Sequence, residues 1–124
     1  MTASLEGVRV LLVEDEYLVA SLIEEILETA GCIVTGPIPR LAEAVDVADR
    51  ERCDAAVLDV NLAGERIYPV ADILSRRNIP FVFVTGYGVL PGEYANRPRL
   101  CKPFKMVDLL DTLSDIVKSA PPRH

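Results

Sequence analysis

Three acids stand together at Glu14, Asp15 and Glu16, directly after the largely apolar run "VRVLLV" (8–13). Two like charges about 4 Å apart repel by roughly 4 kcal/mol at an effective dielectric near 20. Such crowding asks for a compensating charge. Further along, "DAAVLDV" (54–60) carries Asp59 and is followed by Asn61, "IPFVFVTG" (79–86) ends in Thr85-Gly86, and "RLCKPF" (99–104) carries Lys102-Pro103. If these runs are parallel strands, their carboxyl ends share one edge, where open α/β sheets bind ligands. Glu14, Asp15 and Asp59 against Lys102 leave two uncompensated negative charges, so the acids would raise one another's pKa or splay apart. One divalent cation balances them. Donors that are all oxygen suit Mg²⁺ or Mn²⁺ rather than zinc.

Each residue also has a plainer reading. Glu16 fits an ordinary first-turn acid favoured by a helix dipole. Thr85 alone fits a turn hydroxyl, and Lys102 alone a solvated surface lysine. Asp59, preceded by apolar residues, is harder to dismiss, because a buried carboxylate needs partners. The combination carries the metal-site expectation.

The elements that must position these residues follow from a hydrophobic period that switches repeatedly. Strands are predicted at 8–13, 32–37 (broken by Gly36 and Pro37), 54–60, 79–86 and 99–104. In the first helix Val19, Leu22, Ile23, Ile26 and Leu27 share a face, and Gly31 ends it. Leu41, Ala44, Val45 and Ala48 mark a second helix. Pro69 opens a third, with Val70, Ile73 and Leu74 inward and Arg76-Arg77 near its end. A last helix aligns Met106, Leu109, Leu110, Leu113, Ile116 and Val117. Strand and helix alternate about five times, which specifies a mainly parallel α/β sheet with helices on both faces.

A chain of 124 residues fits one domain, here 1–120, with 121–124 a disordered tail. The net charge of −6 gives the long-range field the wrong sign for nucleic acid. No apolar run approaches a membrane span, and the N-terminus lacks a secretory pattern. Cys32, Cys53 and Cys101, widely spaced and odd in number, fit buried thiols in a reducing cytoplasm.

Taken together, "VEDE", "AAVLDVNLAGE", "FVFVTGYG" and "LCKPF", in that order, resemble the receiver domain of bacterial two-component response regulators across essentially the whole chain. The resemblance implies a flavodoxin-like, doubly wound fold with five parallel strands in order 2-1-3-4-5. It implies that Asp59 accepts a phosphoryl group from a histidine kinase or histidine phosphotransfer protein. By the same resemblance Asp15, Asp59 and the main-chain carbonyl of Asn61 bind Mg²⁺, Glu14 helps through water, and Thr85 and Lys102 contact the phosphoryl oxygens. Phosphoryl transfer needs mainly positioning and charge neutralisation, and a carboxylate nucleophile needs no general base. The domain is then a phosphoacceptor that assists its own phosphorylation rather than an enzyme acting on a substrate.

Two features depart from the family pattern. Arg99 stands where many receivers carry the aromatic partner of the threonine switch. Between Thr85 and Lys102, Gly86, Gly88, Pro91, Gly92 and Pro98 leave the fourth helix short or absent, with at best one turn at "GEYAN". The shortened loop and "FVTGYG" are similar in part to a receiver subgroup with an "FATG"-plus-aromatic motif, often single-domain and found largely in alphaproteobacteria. The Gly86–Arg97 loop is therefore expected to shift on phosphorylation, while Asn61 and Tyr87 tune phosphate lifetime. Tyr17, Leu18 and Phe104 are expected to dock the kinase, with an unknown protein downstream and a monomer or weak dimer in solution. A phosphorylation-independent docking or oligomerisation module is the main rival. A haloacid-dehalogenase-type phosphatase fits poorly, because the position of its second aspartate is Asn61.

Overall fold

Runs of apolar residues with no polar alternation form strands where both faces are covered, and three of them make the centre of one sheet of five strands. In the computed structural model, which describes residues 4–86 and 90–120, the five are β1 (Arg9–Val13), β2 (Ile33–Ile38), β3 (Ala55–Asp59), β4 (Phe81–Thr85) and β5 (Arg99–Cys101). All pair in parallel, in the order β2-β1-β3-β4-β5. Every residue of β3 and β4 is buried. An antiparallel ribbon, Asn61–Leu62 against Glu65–Arg66, leaves the end of β3. Its two-residue turn, Ala63-Gly64, has positive φ at both positions, as the hairpin-favouring mirror-image turn requires.

Among the described residues, four helices flank the sheet: α1 (Tyr17–Thr29), α2 (Leu41–Arg50), α3 (Tyr68–Arg76) and α4 (Met106–Ser119). Alternate strand residues feed two cores. Val10, Leu12, Val57, Val82 and Val84 pack with Ile23, Leu27, Leu109 and Leu113 of α1 and α4. Leu11, Ala56, Leu58, Phe81 and Phe83 pack with Ala44, Ala48, Val70 and Leu74 of α2 and α3. This is the doubly wound arrangement expected, with its strand order.

Some local expectations need correction. Leu22 is 53% exposed, because Ala20, Ile23, Ile26 and Leu27 form the buried face and Leu22 falls about a third of a turn from its centre. Met106 is 56% exposed; it lies on the inward stripe, but burial begins one turn later at Leu109. Cys32 and Cys53 are buried, whereas Cys101 is exposed on the edge strand. Gly36 and Pro37 do not break β2. The strand continues to Ile38 with a register shift opposite Leu11 and Val13. Gly36 accommodates this at φ +110°, where a Cβ would overlap the Leu12 carbonyl oxygen.

Among the described residues, one 3₁₀ turn, Gly92–Tyr94, stands before β5 in place of a fourth helix. Aromatic packing holds it. Tyr94 is buried, stacks on Tyr68 with centroids 4.9 Å apart, and meets Phe83 of β4 edge-on at 5.6 Å. Its hydroxyl donates to the Asp72 carboxylate on α3. Arg97 lies over the Phe81 ring at 5.1 Å. Among the described residues, no helix is long and apolar enough to cross a membrane.

Candidate functional site

β1 delivers the acids to the sheet edge. The Glu14 N–H still bonds to the Ile38 carbonyl at 3.0 Å, which continues the strand geometry and turns the side chain inward. Glu14 is therefore only 2% exposed. Its Oε2 accepts the Glu16 N–H at 3.1 Å, placing a carboxylate at the start of α1, where the dipole favours it. Its Oε1 is buried without a conventional hydrogen bond among the described residues and faces Lys102 Nζ at 3.3 Å.

Asp15 is half-buried, and its Oδ2 accepts the Ala63 N–H at 3.0 Å. Asp59, the last residue of β3, is 5% exposed. Its Oδ1 takes a long bond from the Asn61 N–H, 3.4 Å, and its Oδ2 is 3.8 Å from Lys102 Nζ. Thr85 ends β4 and is buried. Its carbonyl accepts the Lys102 N–H at 2.8 Å, which sets the two strand ends in register. Asp59, Asn61, Thr85 and Lys102 share a cleft of about 300 Å³ with Glu16, Arg66 and Gly86.

The acids are thus together. Glu14, Asp15 and Asp59 each offer a carboxylate oxygen within 4.8 Å of the others. An all-oxygen donor set with one buried, poorly satisfied oxygen fits a hard divalent cation. Burial foremost pushes the Asp59 carboxyl up to about 8. The Glu14 carboxyl adds to this, through hydrogen bonding of the protonated form and charge repulsion, while Lys102 and the Asn61 N–H oppose it. For Lys102, burial acts to lower the pKa, but the Glu16 hydrogen bond and the charges of Asp59, Glu14 and Glu16 outweigh it and raise it.

Two cleft residues escaped the sequence reading. Glu16, read as a first-turn acid, reaches Lys102 Nζ at 2.9 Å. Its partner lies 86 positions away, which no local pattern reveals. Arg66 reaches the cleft because the ribbon pairs it with Asn61. The Asn61…Gly64 turn residues were the available signal. The same turn engages the Asn61 side chain, whose Oδ1 accepts the Gly64 N–H at 2.9 Å. Tyr87 lies outside the described residues.

Residues 10–114 match the family model of the response regulator receiver domain. The phyllosphere-induced regulator PhyR of Methylorubrum extorquens is 31% identical over 114 residues, covering 85% of this chain and 42% of PhyR. This chain spans about half the length of the curated relatives it matches. Among solved structures, SdrG of Sphingomonas melonis Fr1 is 38% identical with a TM-score of 0.80, covering 90% of this chain and 97% of SdrG. The receiver domain of the sensor histidine kinase PA1611 of Pseudomonas aeruginosa, described with a magnesium ion coordinated in its active-site cleft, is 28% identical. Its TM-score is 0.80, with 91% of this chain and 99% of that one covered.

Proposed function

This chain belongs to the response regulator receiver family of two-component systems, and we propose that Asp59 is its phosphoacceptor in a Mg²⁺-dependent transfer from a histidine kinase or histidine phosphotransfer protein. One observation carries this: Asp59 sits within 4.8 Å of the Glu14 and Asp15 oxygens and 3.8 Å from the Lys102 ammonium.

Asp59, Asp15 and the Asn61 carbonyl would hold the ion, with Glu14 acting through water. Bound there, Mg²⁺ supplies charge neutralisation for the carboxylates and the phosphoryl oxygens. In the transfer, an Asp59 oxygen bonds to phosphorus as the phosphorus–nitrogen bond to the donor imidazole breaks. The bonding pair stays on the ring nitrogen. Lys102 stabilises the equatorial oxygens and Thr85 is drawn toward them, so that residues 90–97 change packing.

Tyr17 and Leu18, 80% and 81% exposed at the start of α1, lie on the same side of the sheet as exposed Met106 and Val107 on α4. We assign these exposed apolar residues, with the half-buried Phe104 two positions after Lys102, to contact with the donor protein. Residues 1–120 constitute the receiver unit, which signals through a further protein or relays the phosphoryl group.

Incubation with acetyl phosphate tests the assignment. Labelling that requires Mg²⁺ and disappears in Asp59→Asn supports it. Labelling that survives the substitution contradicts it, and a chain that never labels favours a docking module.

A further inference from the structure

The cation among the proposed reacting groups is held most closely by a carboxylate that the transfer does not use. Lys102 Nζ lies 2.9 Å from Glu16 Oε1, against 3.3 Å from Glu14 and 3.8 Å from Asp59. Glu16 occupies the N-cap of α1, yet its side chain makes no cap hydrogen bond. Glu14 accepts the backbone N–H of Glu16 instead. The helix start thus leaves the Glu16 carboxylate available to the cleft, whose wall it shares with Lys102.

A phosphoryl group on Asp59 carries between one and two negative charges and presents several acceptor oxygens. It needs the same ammonium. The Glu16 carboxylate already occupies one of the lysine's three donors, and its charge repels any anion entering the cleft.

We propose that Glu16 is an internal competitor for Lys102, a positioning residue that weakens phosphoryl-group binding at Asp59. The inference rests on Asp59 being the phosphoacceptor. Because the Glu16 side chain is 61% exposed, solvent screening keeps the effect to roughly 2- to 5-fold. A purely structural role for Glu16 predicts lost affinity on substitution. Competition predicts a gain.

The test is a nitrogen-15 NMR titration with beryllofluoride at saturating Mg²⁺, comparing the wild-type chain, Glu16→Gln and Glu16→Ala. Glutamine keeps the size and an acceptor but removes the charge, and alanine removes both. Both variants are expected to half-saturate at roughly 2- to 5-fold lower beryllofluoride, with the gain shrinking as salt rises. Unchanged or weaker binding by both variants, with wild type still binding, overturns the competitor role alone. A wild-type chain that does not bind overturns the phosphoacceptor assignment as well.

Discussion

Asp15 and Ala63, 48 positions apart in the chain, are joined by a single hydrogen bond from the Ala63 N–H to Asp15 Oδ2 at 3.0 Å. The bond ties the acidic loop after β1 to the ribbon after β3. Asp15 therefore has two tasks: it contributes charge to the proposed ion site, and it fixes the ribbon that carries Asn61 and Arg66.

These tasks separate on substitution. Asp15→Asn keeps an acceptor for Ala63, whereas Asp15→Ala does not. Both should weaken Mg²⁺ binding by about tenfold or more, a loss of at least about 1.4 kcal/mol. Only the alanine variant should also speed amide exchange at Ala63. Calorimetric Mg²⁺ titration and hydrogen exchange measure the two effects, and undiminished Mg²⁺ affinity in both variants would remove Asp15 from the ion site.

Asp59 sets a pH dependence whose sign follows from its raised pKa, about 8 against an ordinary 3.8. Between those values the folded chain keeps a proton that the unfolded chain has released. Stability from this group is therefore full below about pH 4 and is lost as pH rises through about 8. The slope approaches about 1.4 kcal/mol per pH unit. In EDTA, the melting temperature of Asp59→Asn should pull above wild type as pH rises, and saturating Mg²⁺ should narrow that gap. Parallel pH profiles for the two proteins would contradict the buried, proton-holding carboxyl.

Arg66 lines the cleft and makes no ion pair among the described residues. A cation lining the cleft attracts anionic donors. Arg66→Ala should slow labelling by acetyl phosphate roughly 2- to 5-fold at low salt, with the difference fading at high salt. A salt-independent difference would point to a structural cause.

The turn that replaces the fourth helix is held by Tyr94, packed on Tyr68 and Phe83. Phe83 lies two residues before Thr85 on β4. Tyr94 thus supplies an aromatic contact to β4, while Arg99, where many receivers carry an aromatic residue, is exposed. Tyr94→Phe keeps the rings and removes the bond to Asp72, and should cost about 1 kcal/mol in urea unfolding. Beryllofluoride should change hydrogen exchange across residues 90–97. Identical exchange with and without it would exclude this segment as the responding element.

How much of this was legible in the chain depends on the range of each interaction. β3 and β4 were plain because burial on both faces writes itself as an unbroken apolar run. The acids, Asp59, Thr85 and Lys102 were legible because strand ends converge in a parallel sheet. Glu16 was misread because its lysine is distant in sequence. The ribbon was missed because two-residue strands leave no period to detect, so Arg66 had no visible place. Leu22 and Met106 were set inward by spacing alone, which cannot say how far along or around a helix its cover extends.

The most direct test is to phosphorylate the chain with acetyl phosphate and Mg²⁺, trap the acyl phosphate by borohydride reduction, and map the modified residue by mass spectrometry. The prediction is conversion of Asp59 alone to homoserine, dependent on Mg²⁺ and abolished by EDTA. Modification at another carboxylate, with Asp59 left intact, would contradict it.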